Sequence, residues 1–179
     1  YDKSRYTRLG YKEEHVEVAD PGYFNDLRSK LKPFKTIKTI VGANVLVIPP
    51  WVDLLHTFRH LISGYDLINY FSNIFDILDN LGVSSVNIRV HPVSHLVEMN
   101  ATHHTATDCY RYFVDMAKQN RGKPYSFNII FNKSMHSNFE TDTQNSDFVI
   151  GPISKSFFDT LLYGRDYVVY DNTVSPFPG

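Results

Sequence analysis

The feature that most constrains this chain is an alternation. Short apolar runs rich in β-branched residues are separated by segments whose apolar residues recur every three or four positions. Asn44-Val-Leu-Val-Ile48 runs unbroken into Pro49-Pro50, and a continuous run of that length reads as a strand buried on both faces. Residues 65–81 follow, with Leu67, Ile68, Phe71, Ile74, Phe75 and Leu78 on one helical stripe and Gly82 placed to end it. Val86-Asn-Ile-Arg-Val90 is the next strand. Asp108 opens a second helix through Tyr112, Phe113 and Met116 that closes near Asn120-Arg-Gly122. Ser126 to Phe131 is a third strand. A polar stretch from Asn132 to Asn145 leads to Asp147-Phe-Val-Ile150, broken by Gly151-Pro152. Residues 154–163 form a short helix closed by Gly164, and Tyr167-Val-Val-Tyr170 is the last strand. Alternation with short connections predicts an α/β, Rossmann-like parallel sheet, covered by helices on both faces through right-handed crossovers.

The first forty residues carry little of this pattern. Val16-Glu-Val18, closed by Asp20-Pro-Gly22, is a minimal strand in what reads as an interdomain or linker segment, residues 1–40, ahead of a sheet domain at 41–179. Tyr1 is not a start residue, and the chain stops in Ser175-Pro-Phe-Pro-Gly179 without a terminal helix, so both ends read as cuts.

Composition matters here mainly for what it excludes. A net charge of −1 over 179 residues supplies no basic field for nucleic acid, so a phosphate ligand has to be held by a local site. The single cysteine, Cys109, rules out an internal disulfide framework and Cys-based zinc, and fits a reducing compartment. It reads as a small buried hydrophobe. No run approaches the roughly 18 apolar residues needed to cross a bilayer, and there is no signal-peptide h-region. The reading is therefore a cytoplasmic protein.

Ligands of open parallel sheets sit beyond the carboxyl ends of the strands, and two such ends carry chemistry. At Arg89-Val90-His91-Pro92, the proline stops the ladder and aims His91 out of the sheet edge, where an imidazole can donate to a phosphate oxygen or satisfy a turn carbonyl. At Gly151-Pro152-Ile153-Ser154-Lys155-Ser156, a helix start offers backbone N–H groups and hydroxyls to an anion. Ser154 there can equally serve only as a helix cap, and the two roles are compatible. The histidine pairs His91/His95, His103/His104 and His56/His60 lack an H-E-x-x-H setting, and no metal site is expected. Neither a Walker loop nor G-x-G-x-x-G is present.

The succession Val45-Leu-Val-Ile-Pro-Pro50, Asn87-Ile-Arg-Val-His-Pro92, Ser146-Asp-Phe-Val-Ile-Gly-Pro-Ile-Ser154 and Asp166-Tyr-Val-Val-Tyr170 resembles the C-terminal domain of GT-B glycosyltransferases. The resemblance is nearest to bacterial surface-glycan enzymes: the Kdo- and sialic-acid-transferring groups, capsule synthesis proteins and CDP-glycerol transferases. It spans about residues 9–171, with residues 9–27 similar to the interdomain stretch. It implies donor-binding roles for His91, Pro92, Gly151, Ser154 and Ser156, with Arg89 beside them. Where those groups carry a paired serine or Ser-Thr, this chain has Ser154-Lys155, with Ser156 one place on. The resemblance further implies a nucleotide-sugar donor, CMP-sugar favoured, and a glycan acceptor. It places the catalytic carboxylate on an N-terminal domain of the same enzyme, requires no cofactor or metal, and is compatible with peripheral association at the inner face of the membrane. Two other readings of the same scaffold are a non-catalytic flavodoxin-like binding or regulatory domain and a nucleotide-sugar epimerase half. A receiver-type regulator would need acidic residues where Pro49-Pro50 stands, and an epimerase would need Glu98 or Glu140 in the cleft.

Overall fold

The computed structural model describes residues 31–50, 64–91, 98–99, 104–132 and 138–170. The strand expected at 16–18 lies outside the described residues, as do Pro92, His95, His103 and the His56/His60 pair.

Five of the described strands form one sheet: β1 (Asn44–Val47), β2 (Ser85–Ile88), β5 (Asn128–Phe131), β6 (Phe148–Gly151) and β7 (Asp166–Val169). Their spatial order is β5-β2-β1-β6-β7, and every neighbouring pair is parallel. The chain therefore winds outward from β1 in one direction, returns, and winds outward in the other. This is an α/β, Rossmann-like sheet whose order reverses between β1 and β6. β3 (Glu98–Met99) and β4 (His104–Thr105) form a separate two-residue antiparallel pair that the apolar pattern does not reveal.

The helices are α1 (Gly64–Asn80), α2 (Ala106–Arg121), α3 (Phe139–Gln144) and α4 (Lys155–Leu162). Val45, Val47, Val86, Ile88, Phe148 and Ile150 turn one sheet face toward α1 and α2, and they pack into one buried cluster with Leu67, Phe71, Phe75, Tyr110 and Val114. Leu46 and Val149, at the alternate positions, are buried outside that cluster. With right-handed crossovers, reversing direction at β1 puts α3 and α4 on that second face.

The sheet unit begins at Lys32, earlier than residue 41, where the apolar pattern starts. The reason is backbone bonding. Lys32 N–H donates to the Leu162 carbonyl and Lys35 N–H to that of Gly164, each at 2.9 Å. Lys35 also bridges Arg165 in parallel. Gly164 makes this approach feasible. It has φ of 70°, and a Cβ there would lie 2.4 Å from the Pro33 carbonyl oxygen, so a side chain would be both strained and blocked.

Candidate functional site

The exit of β1 is tied down from below. Tyr70 on α1 and Tyr110 on α2 are buried in the core, yet each sends its hydroxyl upward. Tyr70 donates to the Ile48 carbonyl at 3.1 Å and Tyr110 to the Pro50 carbonyl at 2.8 Å. Two carbonyls just past the end of β1 are thereby satisfied, as buried polar groups require.

Beside this exit lies a cleft of about 430 Å³, at the carboxyl ends of β1, β2 and β6 and the start of α4. It occupies the point where strand order reverses. Arg89, His91, Ser154, Lys155, Ser156 and Asp159 supply its polar lining, and Ile48, Pro49, Val90, Phe139 and Pro152 its apolar lining. Of the residues singled out in the sequence, four meet here: Arg89, His91, Ser154 and Ser156.

Gly151 does not join them. It is buried at the end of β6, where a Cβ would fall 2.5 Å from the Tyr167 hydroxyl and 2.9 Å from the Ile48 carbonyl oxygen. Its glycine character is a packing requirement between β1, β6 and β7. The Tyr167 hydroxyl that occupies the space donates to the Pro152 carbonyl at 2.8 Å. Burial holds that phenol well above its usual range, against a smaller opposing effect of the hydrogen bond with Ser154.

Ser154 is the N-cap of α4: its backbone is extended and its Oγ accepts from the Ser156 N–H at 3.2 Å. Capping satisfies one of the orphan N–H groups of the helix and leaves the dipole end facing the cleft. Lys155 pairs with Asp159 at 2.7 Å, and because its side chain is 74% exposed the pair contributes little to stability. His91 is exposed at the mouth, yet crowding at the cleft edge and the neighbouring Arg89 lower its pKa. A neutral imidazole at neutral pH is the result, able to donate one N–H.

Arg89 is more buried than Lys155, the other cation of the cleft. Its guanidinium pairs with Asp142 on α3 and lies over the Phe139 ring, 5.4 Å from the centroid. Asp142 also accepts from Asn132 Nδ2 at 2.5 Å. The pair forms a partition: beyond it, a second cavity of about 260 Å³ is lined by Asp142, Asn132, Leu46, Asn87 and Ile130. Phe139 and Asp142 were not singled out in the sequence, because six residues of helix inside a polar stretch leave no apolar period. The available signal was local. Asn138 caps α3 by accepting from Glu140 N–H at 3.0 Å, with acidic residues in the turn that follows.

Of the two carboxylates an epimerase reading would call on, Glu140 is not among the described residues that line this cleft. Glu140 pairs with Lys32 at 3.3 Å and accepts from Gln144, and Glu98 lies on β3. Among the described residues, no three His, Cys, Asp or Glu side chains converge as a metal site would require, and no helix is long and apolar enough to cross a membrane. Comparison with known protein families, with curated proteins and with solved structures finds no match to this chain.

Proposed function

We propose that this domain binds the phosphate-bearing end of a nucleotide-sugar donor, as the donor half of a glycosyltransferase that builds surface glycans. The observation that carries the reading is the meeting of Arg89, His91 and the capped start of α4 on one cleft at the reversal of strand order. Charge, an N–H donor and a helix dipole are thereby offered to one anion. The chemistry suits departure of a nucleotide: negative charge grows on the leaving oxygen, and fixed donors stabilise it without reorganising. The acceptor hydroxyl must surrender its proton to a carboxylate base, which in this reading comes from a second domain. CMP-sugars are favoured through the family resemblance.

Calorimetric titration with cytidine, uridine, adenosine and guanosine monophosphates tests this. Binding of the cytidine nucleotide ahead of the others is the expected result. Equal binding of all four removes the choice of cytidine, and no binding of any nucleotide or of inorganic phosphate removes the reading.

A further inference from the structure

We infer that the second cavity, beyond the Arg89–Asp142 pair, is a binding site for a neutral polyol ring, a small ligand whose adjacent hydroxyls both donate and accept hydrogen bonds. The inference is independent of the anion-binding reading above, because it concerns a different cavity and a different ligand chemistry.

It starts from one residue out of place. Strand pairing sets Val149, Leu46, Asn87 and Ile130 side by side across β6, β1, β2 and β5. Their neighbours along the strands pack toward α1 and α2, so this row lies on the opposite face. Three of its members are apolar, as strands of a parallel sheet require. The fourth is an asparagine, a residue depleted from strands. Asn87 is half-buried, and its carboxamide has no hydrogen-bond partner among the described residues. A partly buried amide without a partner weakens the fold, so the row carries a polar group that folding does not use. Beside it α3 is only six residues long, and a cavity of about 260 Å³ has Leu46, Asn87 and Ile130 in its lining.

The rest of the lining fixes the ligand class. Among the described residues its one charged member is Asp142, whose carboxylate is already met by Arg89 and by the Asn132 amide. The cavity therefore offers no uncompensated charge to an anion or a cation. Asn87 and Asn145 bring carboxamides, each with a carbonyl acceptor and two N–H donors. Ser146 adds a hydroxyl that donates to the Asp142 carbonyl at 2.8 Å, which leaves its oxygen to accept. Donors and acceptors mixed in this way answer adjacent hydroxyls, since each hydroxyl bonds in both senses. Leu46 and Ile130 flank Asn87 in the row and suit the C–H groups of a saturated ring. Free sugars and cyclitols share this chemistry.

Proton–nitrogen NMR titrations of the full chain test this, with glucose, myo-inositol, cyclohexanol and inorganic phosphate as probes. Glucose or myo-inositol is expected to bind with about millimolar affinity, ordinary for a ligand of this size, and the tighter of the two tells a sugar site from a cyclitol site. Cyclohexanol, a ring with a single hydroxyl, should bind about fivefold or more weakly. Asn87→Leu, close in size, should weaken the polyol about fivefold or more. It should leave phosphate affinity unchanged and keep or raise the melting temperature, as expected of a residue kept for binding. Asn145→Ala, on the exposed end of α3, should weaken the polyol about twofold or more. Unchanged polyol affinity in either variant overturns the site. A clear fall in melting temperature in Asn87→Leu, or failure to fold, makes the asparagine part of the fold and also overturns it. Cyclohexanol bound as tightly as the polyols leaves only an apolar hollow and overturns it too. Wild type that binds phosphate but neither polyol removes this site and leaves the anion reading; the reverse removes the anion reading and leaves this site.

Discussion

The two ends of the sheet use the same parts and reach opposite outcomes. At the amino end of the strands, Arg121 at the close of α2 lies 4.1 Å over the Tyr125 ring and pairs with Asp79 at 2.6 Å and Asp76 at 3.2 Å. Asp79 also accepts from the Ser126 hydroxyl at 2.6 Å and the Ser126 N–H at 2.7 Å. At the carboxyl end, Arg89 lies over Phe139 and pairs with Asp142. Both are an arginine on an aromatic ring with a carboxylate at its edge. In the first, the carboxylate also takes the N–H and hydroxyl of Ser126, and the cluster closes the α2–β5 connection. In the second, the arginine borders a cleft. Residue types alone do not separate a fastening from a candidate binding site; the difference between the two clusters is the open volume beside Arg89.

The largest effect expected from this contrast is on affinity. Arg89→Ala should weaken cytidine monophosphate by about tenfold to a hundredfold, since a charge-assisted hydrogen bond contributes about 1.5–3 kcal/mol. Arg121→Ala should leave that affinity unchanged and lower the melting temperature instead. Calorimetry and thermal melts on both variants decide, and an Arg121→Ala protein that loses as much affinity as Arg89→Ala breaks the contrast.

Ser154→Ala should cost about 1 kcal/mol of stability through the lost cap, a fall of roughly 2–4 °C in melting temperature for a domain of this size. Its effect on nucleotide affinity, compared at equal folded fraction, should be non-additive with that of His91→Ala if both touch one phosphate. Strict additivity in the double-mutant cycle would assign the two residues to different ligand groups.

The smallest effects separate the ends by pH. Hydrogen bonds from Ser126, foremost its hydroxyl, and from Arg121 hold the Asp79 carboxyl far below the usual carboxylate range. Its contribution is fully present above the unfolded value of about 3.9 and is lost as pH falls toward the folded one. The stability gap between wild type and Asp79→Asn should therefore narrow below about pH 4. His91 is also depressed, by partial desolvation and by Arg89. The unfolded chain takes up the proton more readily, so stability declines slightly as pH falls below 6.5. His91→Gln should flatten that decline in melts between pH 7 and 5, leaving the acid limb of Asp79 in place. An unaltered decline in His91→Gln would assign it to another group.

The sheet was legible because each central strand is a short apolar run and α1 carries a full helical stripe. Those patterns are the direct imprint of burial on two faces or one. The meeting of His91 with Ser154 was legible as topology, since both follow strand ends flanking the central strand. Phe139 and Asp142 were not, because α3 is only six residues long and is held by a cap and ion pairs rather than by an apolar face. The docking of residues 32–40 was hidden for a related reason: backbone hydrogen bonds leave no mark on side-chain pattern.

Gly151 illustrates how a position can imitate a functional signature. It stands three residues before a candidate phosphate-binding serine, in the sort of Gly-Pro-x-Ser string that invites a ligand-contacting role. Yet no atom beyond hydrogen fits on its α-carbon beside the Tyr167 hydroxyl and the Ile48 carbonyl. Among descendants of this sequence, drift at residue 151 should be barred for as long as β1, β6 and an aromatic hydroxyl from β7 keep their spacing, whatever the cleft comes to bind. Invariance there would record the tightness of a three-strand junction, and a lineage that exchanged its ligand would still carry the glycine.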